Sequence, residues 1–515
     1  MSEPLPKSET GSVGGKTLLA SIWLLTGVFY SRVANLAMII ILARILVPAD
    51  FGLVALGTTL LTILTTVTDL SLANALIHHK DANKEDFDTA FTLSAIRGLA
   101  LSAVMIGSGF VMAHIYNDSR LIGVCLGLSS RPLLNGLKSP HFIRYSKDLD
   151  FKTVAFSEAM EYTAQLVVSV ALALATNSYW AIVAGAVAAS CSGIVVSYIY
   201  APYRPSISFG SWRKILDFSI WLTFNQFVSV IGSRFDNFLA GGLLGISAFG
   251  AYNVGNNISA MITQSAAQPL ERVLFPSFAK MTHDNARLKQ AYQKSQASFF
   301  AIGMPLGVGL ALVAEPFVYL MLGPNWSIAA KVIQFIAPVL GIQIVFGPAN
   351  ALAYAVGATR NLFNRGIVLL VLRVPIVFIG LYFFGMTGLL IARVVSGGVL
   401  VSVVNFYLVR SLTGLRIWDQ LFVTWRSWVS GVAMVLSVLV TGAALPPVDS
   451  SHTATLALFV MSVVGAAVYC SSHALLWVLA GRPSLAVEAE IAGVIKKFLG
   501  RRSLVMSNNR SGNVG

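Results

Sequence analysis

Charge is scarce in this sequence. Only 11% of its 515 residues are Asp, Glu, Lys or Arg, against 56% apolar residues and a mean hydropathy of +0.74; water-soluble domains carry about 25% charged residues. So small a polar inventory excludes a set of soluble cores and leaves the bilayer as the main solvent. Cysteine is equally sparse. Cys125, Cys191 and Cys470 each stand in an apolar stretch with no CxxC spacing, which excludes a disulfide framework and a thiolate metal site. All three are read as small core residues. A GxxxxGK[ST] phosphate cradle is missing too, so no nucleotide hydrolysis is expected. A catalytic constellation is also absent: His114 and His452 are the only histidines near the outward side, and His78-His79 reads as a polar loop pair. No cofactor, no metal and no enzyme activity are expected. The net charge of +14 is dispersed among short loops and tails, which argues against nucleic acid as a partner.

What the sequence does contain is apolar run after apolar run. With ~20 residues per crossing, the pattern predicts an all-α polytopic membrane protein of about fourteen spans. They fall near residues 18–45, 51–77, 89–115, 121–137, 151–175, 180–200, 215–244, 249–275, 297–320, 329–356, 362–384, 386–409, 421–444 and 454–479. The first run is too long for a signal-peptide core and is expected to remain as a span. Lys and Arg crowd alternate loops, among them Lys80 and Lys84, Lys138, Arg144 and Lys147, Lys280 and Arg287, Arg360 and Arg365, and Arg410 and Arg416. The other loops are nearly bare, with Arg120 the clearest exception. Positive residues are retained inside, so both termini are expected in the cytoplasm of an inner membrane. Beyond the last span, Val487, Ile491, Val494, Ile495 and Phe498 recur at helical spacing beside Lys496, Lys497 and Arg501. That pattern fits an interfacial helix or a solvated basic tail.

A repeat is visible at an offset of 198 residues, which lays Phe51-Gly52 on Phe249-Gly250. It divides the chain into a cytoplasmic tail (1–16), a six-helix bundle (17–200), a linker (201–214), a second six-helix bundle (215–412), an extra helix pair (413–482) and a basic tail (483–515). Parallel repeats of this kind place a transporter's path between the halves.

Ionisable residues deep in apolar helices are the candidate site. Arg32 falls in the first span, Arg234 and Asp236 in the seventh, and Arg373 in the eleventh. A central Arg costs ~2.5–3.5 kcal/mol on insertion scales, so these three are expected to face a hydrated interior. Guanidinium forks suit phosphate and carboxylate, which makes Arg32, Arg234 and Arg373 candidates for holding an anionic cargo. The alternative is pairing with an acid such as Asp69, Glu158 or Glu161, or snorkelling to an interface. Asp69, Asp236, Glu158 and Glu161 are candidates for ion coupling, although Glu158 and Glu161 also suit a helix start. Arg97, Arg272 and Arg393 sit nearer helix ends and read as structural.

The run Leu42-Ala-Arg-Ile-Leu-Val-Pro-Ala-Asp-Phe-Gly-Leu-Val-Ala55 is followed by Thr68-Asp-Leu-Ser-Leu-Ala-Asn-Ala-Leu-Ile-His-His-Lys80. Together with Arg234-Phe-Asp-Asn-Phe-Leu-Ala-Gly-Gly-Leu-Leu-Gly245 and Phe249-Gly-Ala-Tyr-Asn253, it resembles the polysaccharide transporter family of lipopolysaccharide and exopolysaccharide biosynthesis. That family belongs to the multidrug/oligosaccharidyl-lipid/polysaccharide flippase superfamily. The resemblance implies a MATE-like fold of two six-helix bundles plus two C-terminal helices. It also implies a cargo of undecaprenyl-diphosphate-linked oligosaccharide, with a polymerase and a chain-length regulator as pathway partners. Alternatives are a MATE-type organic-cation antiporter, which would want acids in its cavity, a lipid II flippase, and a membrane glycan ligase or polymerase, which would want a large outward loop.

Overall fold

A backbone in hydrocarbon satisfies its N–H and C=O groups within its own segment, so apolar runs of this length become helices. In a computed structural model of the chain, residues 10–68, 83–148, 150–210, 232 and 235–481 are described. The main helices are α1 Thr10–Ile45, α2 Pro48–Val67, α3 Lys84–Ile115, α4 Arg120–Gly136, α5 Phe151–Thr176, α6 Trp180–Tyr200 and α7 Ile246–Ala279. After these come α8 Asn285–Leu312, α9 Ser327–Gln343, α10 Gly347–Ala355, α11 Thr359–Arg393, α12 Val401–Thr413, α13 Trp425–Ala444 and α14 Ser451–Leu479. Among the described residues there is no strand, and ten helical stretches are long and apolar enough to cross a membrane. The polytopic all-α class expected from the sequence holds. Most of the seventh expected span, the tail before residue 10 and the basic segment from residue 482 on lie outside the described residues.

One of the ten stretches, Thr359–Thr413, runs to 55 residues. As a straight helix it would measure about 80 Å, more than twice the ~30 Å hydrocarbon core. It breaks at Gly385, whose φ of 56° and ψ of −136° are not helical and suit a residue without Cβ. Gly388 there abuts the carbonyl of Gly380. The chain folds back at the point where the expected eleventh span gives way to the twelfth. The short fourth span is a continuous helix despite Pro132, and its Leu121, Val124, Cys125 and Leu128 are fully buried. Cys191 and Cys470 are exposed, not core residues as expected; in a membrane helix apolar residues stand on every face, so burial cannot be read from composition. Arg120, the exception to the loop-charge pattern, forks onto Asp118 at 2.7 Å, and that bond holds the Asp118 carboxyl below the usual carboxylate range.

The chain divides into two compact units. The first comprises Met1–Ile258, Met321–Ala329 and Leu370–Leu389; the second comprises Ser259–Leu320, Ala330–Leu369 and Leu390–Gly515. In the first, α3 and α4 approach closely because Gly98 faces the Pro132 carbonyl and Gly136 faces the Ser94 carbonyl. In the second, α8 and α9 meet through Gly303 and Gly341, each against the other's carbonyl. Small residues let membrane helices pack backbone to backbone. Both units use this device, and each places a proline inside the second helix of the pair, Pro132 and Pro338. In the second unit α14 is tied to α8 by Tyr469, whose hydroxyl donates to the Ala301 carbonyl at 2.9 Å.

The 198-residue repeat has a geometric counterpart within the first unit. Gly52 abuts the Ile246 carbonyl, and Gly250 abuts the Pro48 carbonyl. Pro48 and Ile246 are themselves related by the same offset, so the contact is reciprocal, as across a two-fold axis. A side chain at Gly52 would have to displace backbone. Gly52→Val is therefore expected to cost about 1–3 kcal/mol or more, read as a lower melting temperature of the purified protein. Gly107→Val, in open space on α3, is the matched control; equal melting of the two variants would refute the close contact.

After α6 the chain runs back across the start of α3. Asp88, 4% exposed, accepts from the Ser206 amide at 2.9 Å, the Ser206 hydroxyl at 2.5 Å and the Tyr203 hydroxyl at 2.6 Å. This carboxylate pins the first half of the expected linker to the first bundle.

Candidate functional site

Arg373 is not a free cation. Its Nη2 donates to Asp236 Oδ2 at 2.9 Å, and the Asp236 side chain is only 4% exposed. The two residues stand 137 positions apart and meet inside the first unit. An acid does neutralise this arginine, but it is Asp236, not Asp69, Glu158 or Glu161. Glu161 is taken by Lys138, Nζ to Oε1 at 2.7 Å, and Glu158 lies beside it, exposed, in the same cleft of about 490 Å³. Arg32 is half-buried on α1, with no hydrogen bond or ion pair among the described residues. Arg234 and Asp69 lie outside the described residues.

Two arginines that sequence reasoning passed over come together instead. Arg97 on α3 and Arg131 on α4 line a cleft of about 350 Å³ in the first unit. The antiparallel register that sets Gly98 against Pro132 also brings these two side chains level. Helix α2 adds Thr58, Thr62 and Thr65, which share one face at helical spacing. Their hydroxyls donate back to the Val54, Thr58 and Leu61 carbonyls at 2.9, 2.7 and 2.8 Å, so they make the wall polar without being available as donors. Asn135 completes the polar lining.

Arg97 is anchored: its Nε donates to the Thr68 hydroxyl at 3.1 Å and its Nη2 to the Thr65 carbonyl. Arg131 is not. Its Nε is buried without a partner, and no ion pair or hydrogen bond engages its side chain among the described residues. Among the described residues no carboxylate lines the cleft. Of the two guanidinium groups one is fixed and one unpaired, and each has a planar fork of the kind that matches phosphate or carboxylate oxygens. Arg97 reads as structural from its place near a helix end. The signal that identifies the two arginines is the hairpin register of α3 and α4. Among the described residues no group of acids, histidines or cysteines is arranged to hold a metal.

A family model described as "Polysaccharide biosynthesis protein" matches residues 41–331. The lipopolysaccharide biosynthesis protein WzxC of Escherichia coli (strain K12) is 23% identical over 406 residues, covering 76% of this chain and 80% of that protein. Among solved structures, the lipid II flippase MurJ in an inward closed conformation gives a TM-score of 0.70 at 13% identity, with 89% of this chain and 99% of that chain covered. An inward-facing multidrug resistance MATE family transporter gives 0.59 at 15% identity, covering 75% and 95%. At such identities these two structures bear on the fold alone, and they bear out the MATE-like architecture.

Proposed function

Since the chain belongs to the polysaccharide biosynthesis protein family, we propose that it carries a lipid-linked oligosaccharide across the bacterial inner membrane, from the cytoplasmic to the periplasmic leaflet. The anchor is undecaprenyl diphosphate, and the chemistry is binding and release with no covalent step. The observation that carries this reading is the cleft of Arg97 and Arg131, lined by no carboxylate among the described residues. It lies in the half of the first bundle nearer the Lys84 and Lys138 ends, which the loop charges assign to the cytoplasm. A diphosphate leaving water there exchanges its hydration for charge-assisted bonds to two guanidinium forks, while its sugars and lipid are accommodated elsewhere. An organic-cation antiporter would need the reverse polarity. Polymerase and chain-length regulator act downstream on the delivered unit.

The test is deletion of the gene in its host. Loss of the exported polymer, with lipid-linked repeat units accumulating on the cytoplasmic leaflet and both defects reversed by the wild-type gene, is the expected result. Normal polymer and normal intermediates in the deletion strain would refute it and favour export of a drug-like cation.

A further inference from the structure

The second unit holds its own cleft, of about 320 Å³, at the lower end of the ~300–1,000 Å³ of small-molecule sites. Its polar groups differ in kind from those of the first. Glu271 and Gln264 come from α7, Asn350 from α10, Arg365 from α11 and Asn405 from α12. In the sequence Arg365 had counted as a loop cation; it lies on α11 and reaches inward. Its Nη1 donates to Asn350 Oδ1 at 2.8 Å and to Asn405 Oδ1 at 2.9 Å, while Nε is buried without a partner. No acid touches it.

Glu271 lines the same cleft and is exposed to it, yet makes no ion pair or hydrogen bond among the described residues. The absence of a side chain at Gly347 leaves room for its carboxylate: a Cβ there would stand 2.6 Å from Oε1. A cation and an anion that line one cleft in an apolar bundle without bonding each other leave both to be satisfied by what enters. The group suited to both is a hydroxyl, which accepts from a guanidinium and donates to a carboxylate. Amides at Gln264 and Asn350 add neutral donors and acceptors around them. Phosphate is disfavoured by the Glu271 charge, in contrast to the cleft of the first unit, which no described carboxylate lines.

We propose that this cleft is a saccharide subsite, in which hydroxyls of a cargo sugar bridge Glu271 and Arg365. It rests on the lipid-linked cargo proposed above and assigns the sugar-bearing end to the second unit. The test compares wild type, Gln264→Leu and Glu271→Ala in lipid nanodiscs, each titrated with two probes. One is undecaprenyl diphosphate; the other is the oligosaccharide-bearing lipid extracted from host cells that lack the polymerase. Gln264 is exposed and bonded to nothing among the described residues, so its replacement orphans no group. Both variants are expected to bind the sugar-bearing lipid about tenfold more weakly or worse, with unchanged affinity for the bare diphosphate and unchanged melting temperature. Equal losses for both lipids, or no loss for either, would overturn the saccharide subsite. Failure of the wild type to bind either lipid would instead overturn the carrier reading on which it rests.

Discussion

Arg131→Ala is expected to weaken binding of undecaprenyl diphosphate by about 10- to 100-fold and to leave the melting temperature unchanged or raised. A hydrogen bond to a charged group is worth ~1.5–3 kcal/mol, and ~1.4 kcal/mol is tenfold in affinity, so loss of one phosphate-facing fork accounts for that range. The stability side follows from the absence of partners. The buried Nε of Arg131 has no partner among the described residues, and Glu161, which acts on Arg131 only through space, keeps Lys138, so the removal strands no acid and relieves a desolvated charge. Arg97→Ala should behave differently, because its guanidinium also ties α3 to the end of α2 through Thr65 and Thr68. Both affinity and melting temperature fall in that case. Arg131→Lys keeps the charge but loses the planar fork and should fall between wild type and Ala. Titration of the purified protein in nanodiscs, alongside thermal melts, reads all three; wild-type affinity in Arg131→Ala would remove that residue from the cargo path.

The fold was legible because the relevant signals are local. Run length selects helices in hydrocarbon, and the break between the eleventh and twelfth spans is readable at Gly385, where the chain must turn within a continuous apolar stretch. The candidate site was harder because its logic is spatial. Arg373 and Asp236 are 137 residues apart, and no spacing rule brings them together; the charge within local reach of Asp236 was Arg234, two residues away. Arg97 reads as structural on its own, and only the alignment of α3 and α4 brings Arg97 and Arg131 to one cleft. Arg365 sits among loop cations in the sequence, and only the path of α11 turns it inward. The repeat had the reverse character. As a sequence match it amounts to a few Leu, Phe and Gly, whereas Gly52 and Gly250 make reciprocal contacts with backbone positions that obey the same offset.

Asp236→Ala is expected to give the largest loss of stability, about 3–5 kcal/mol, because it leaves the Arg373 guanidinium uncompensated in an apolar bundle. The side chain of Arg373 is 19% exposed, so water does little to replace the lost carboxylate. Arg373→Ala should cost less, since Asp236 keeps a further interaction besides the one with Arg373. In Asp236→Leu/Arg373→Met both charges go together, and replacing a buried pair by apolar groups of similar volume is often neutral or stabilising. The double variant should therefore melt close to wild type although each parent melts below it. Thermal melts of the four proteins test that ordering, and a double variant no more stable than Asp236→Ala would show that the pair does not account for the loss. Polymer output then separates structure from transport. If Arg373 serves only to balance Asp236, cells carrying the double variant export normally. Lost output from a stable double variant would return Arg373 to the path of the anionic cargo.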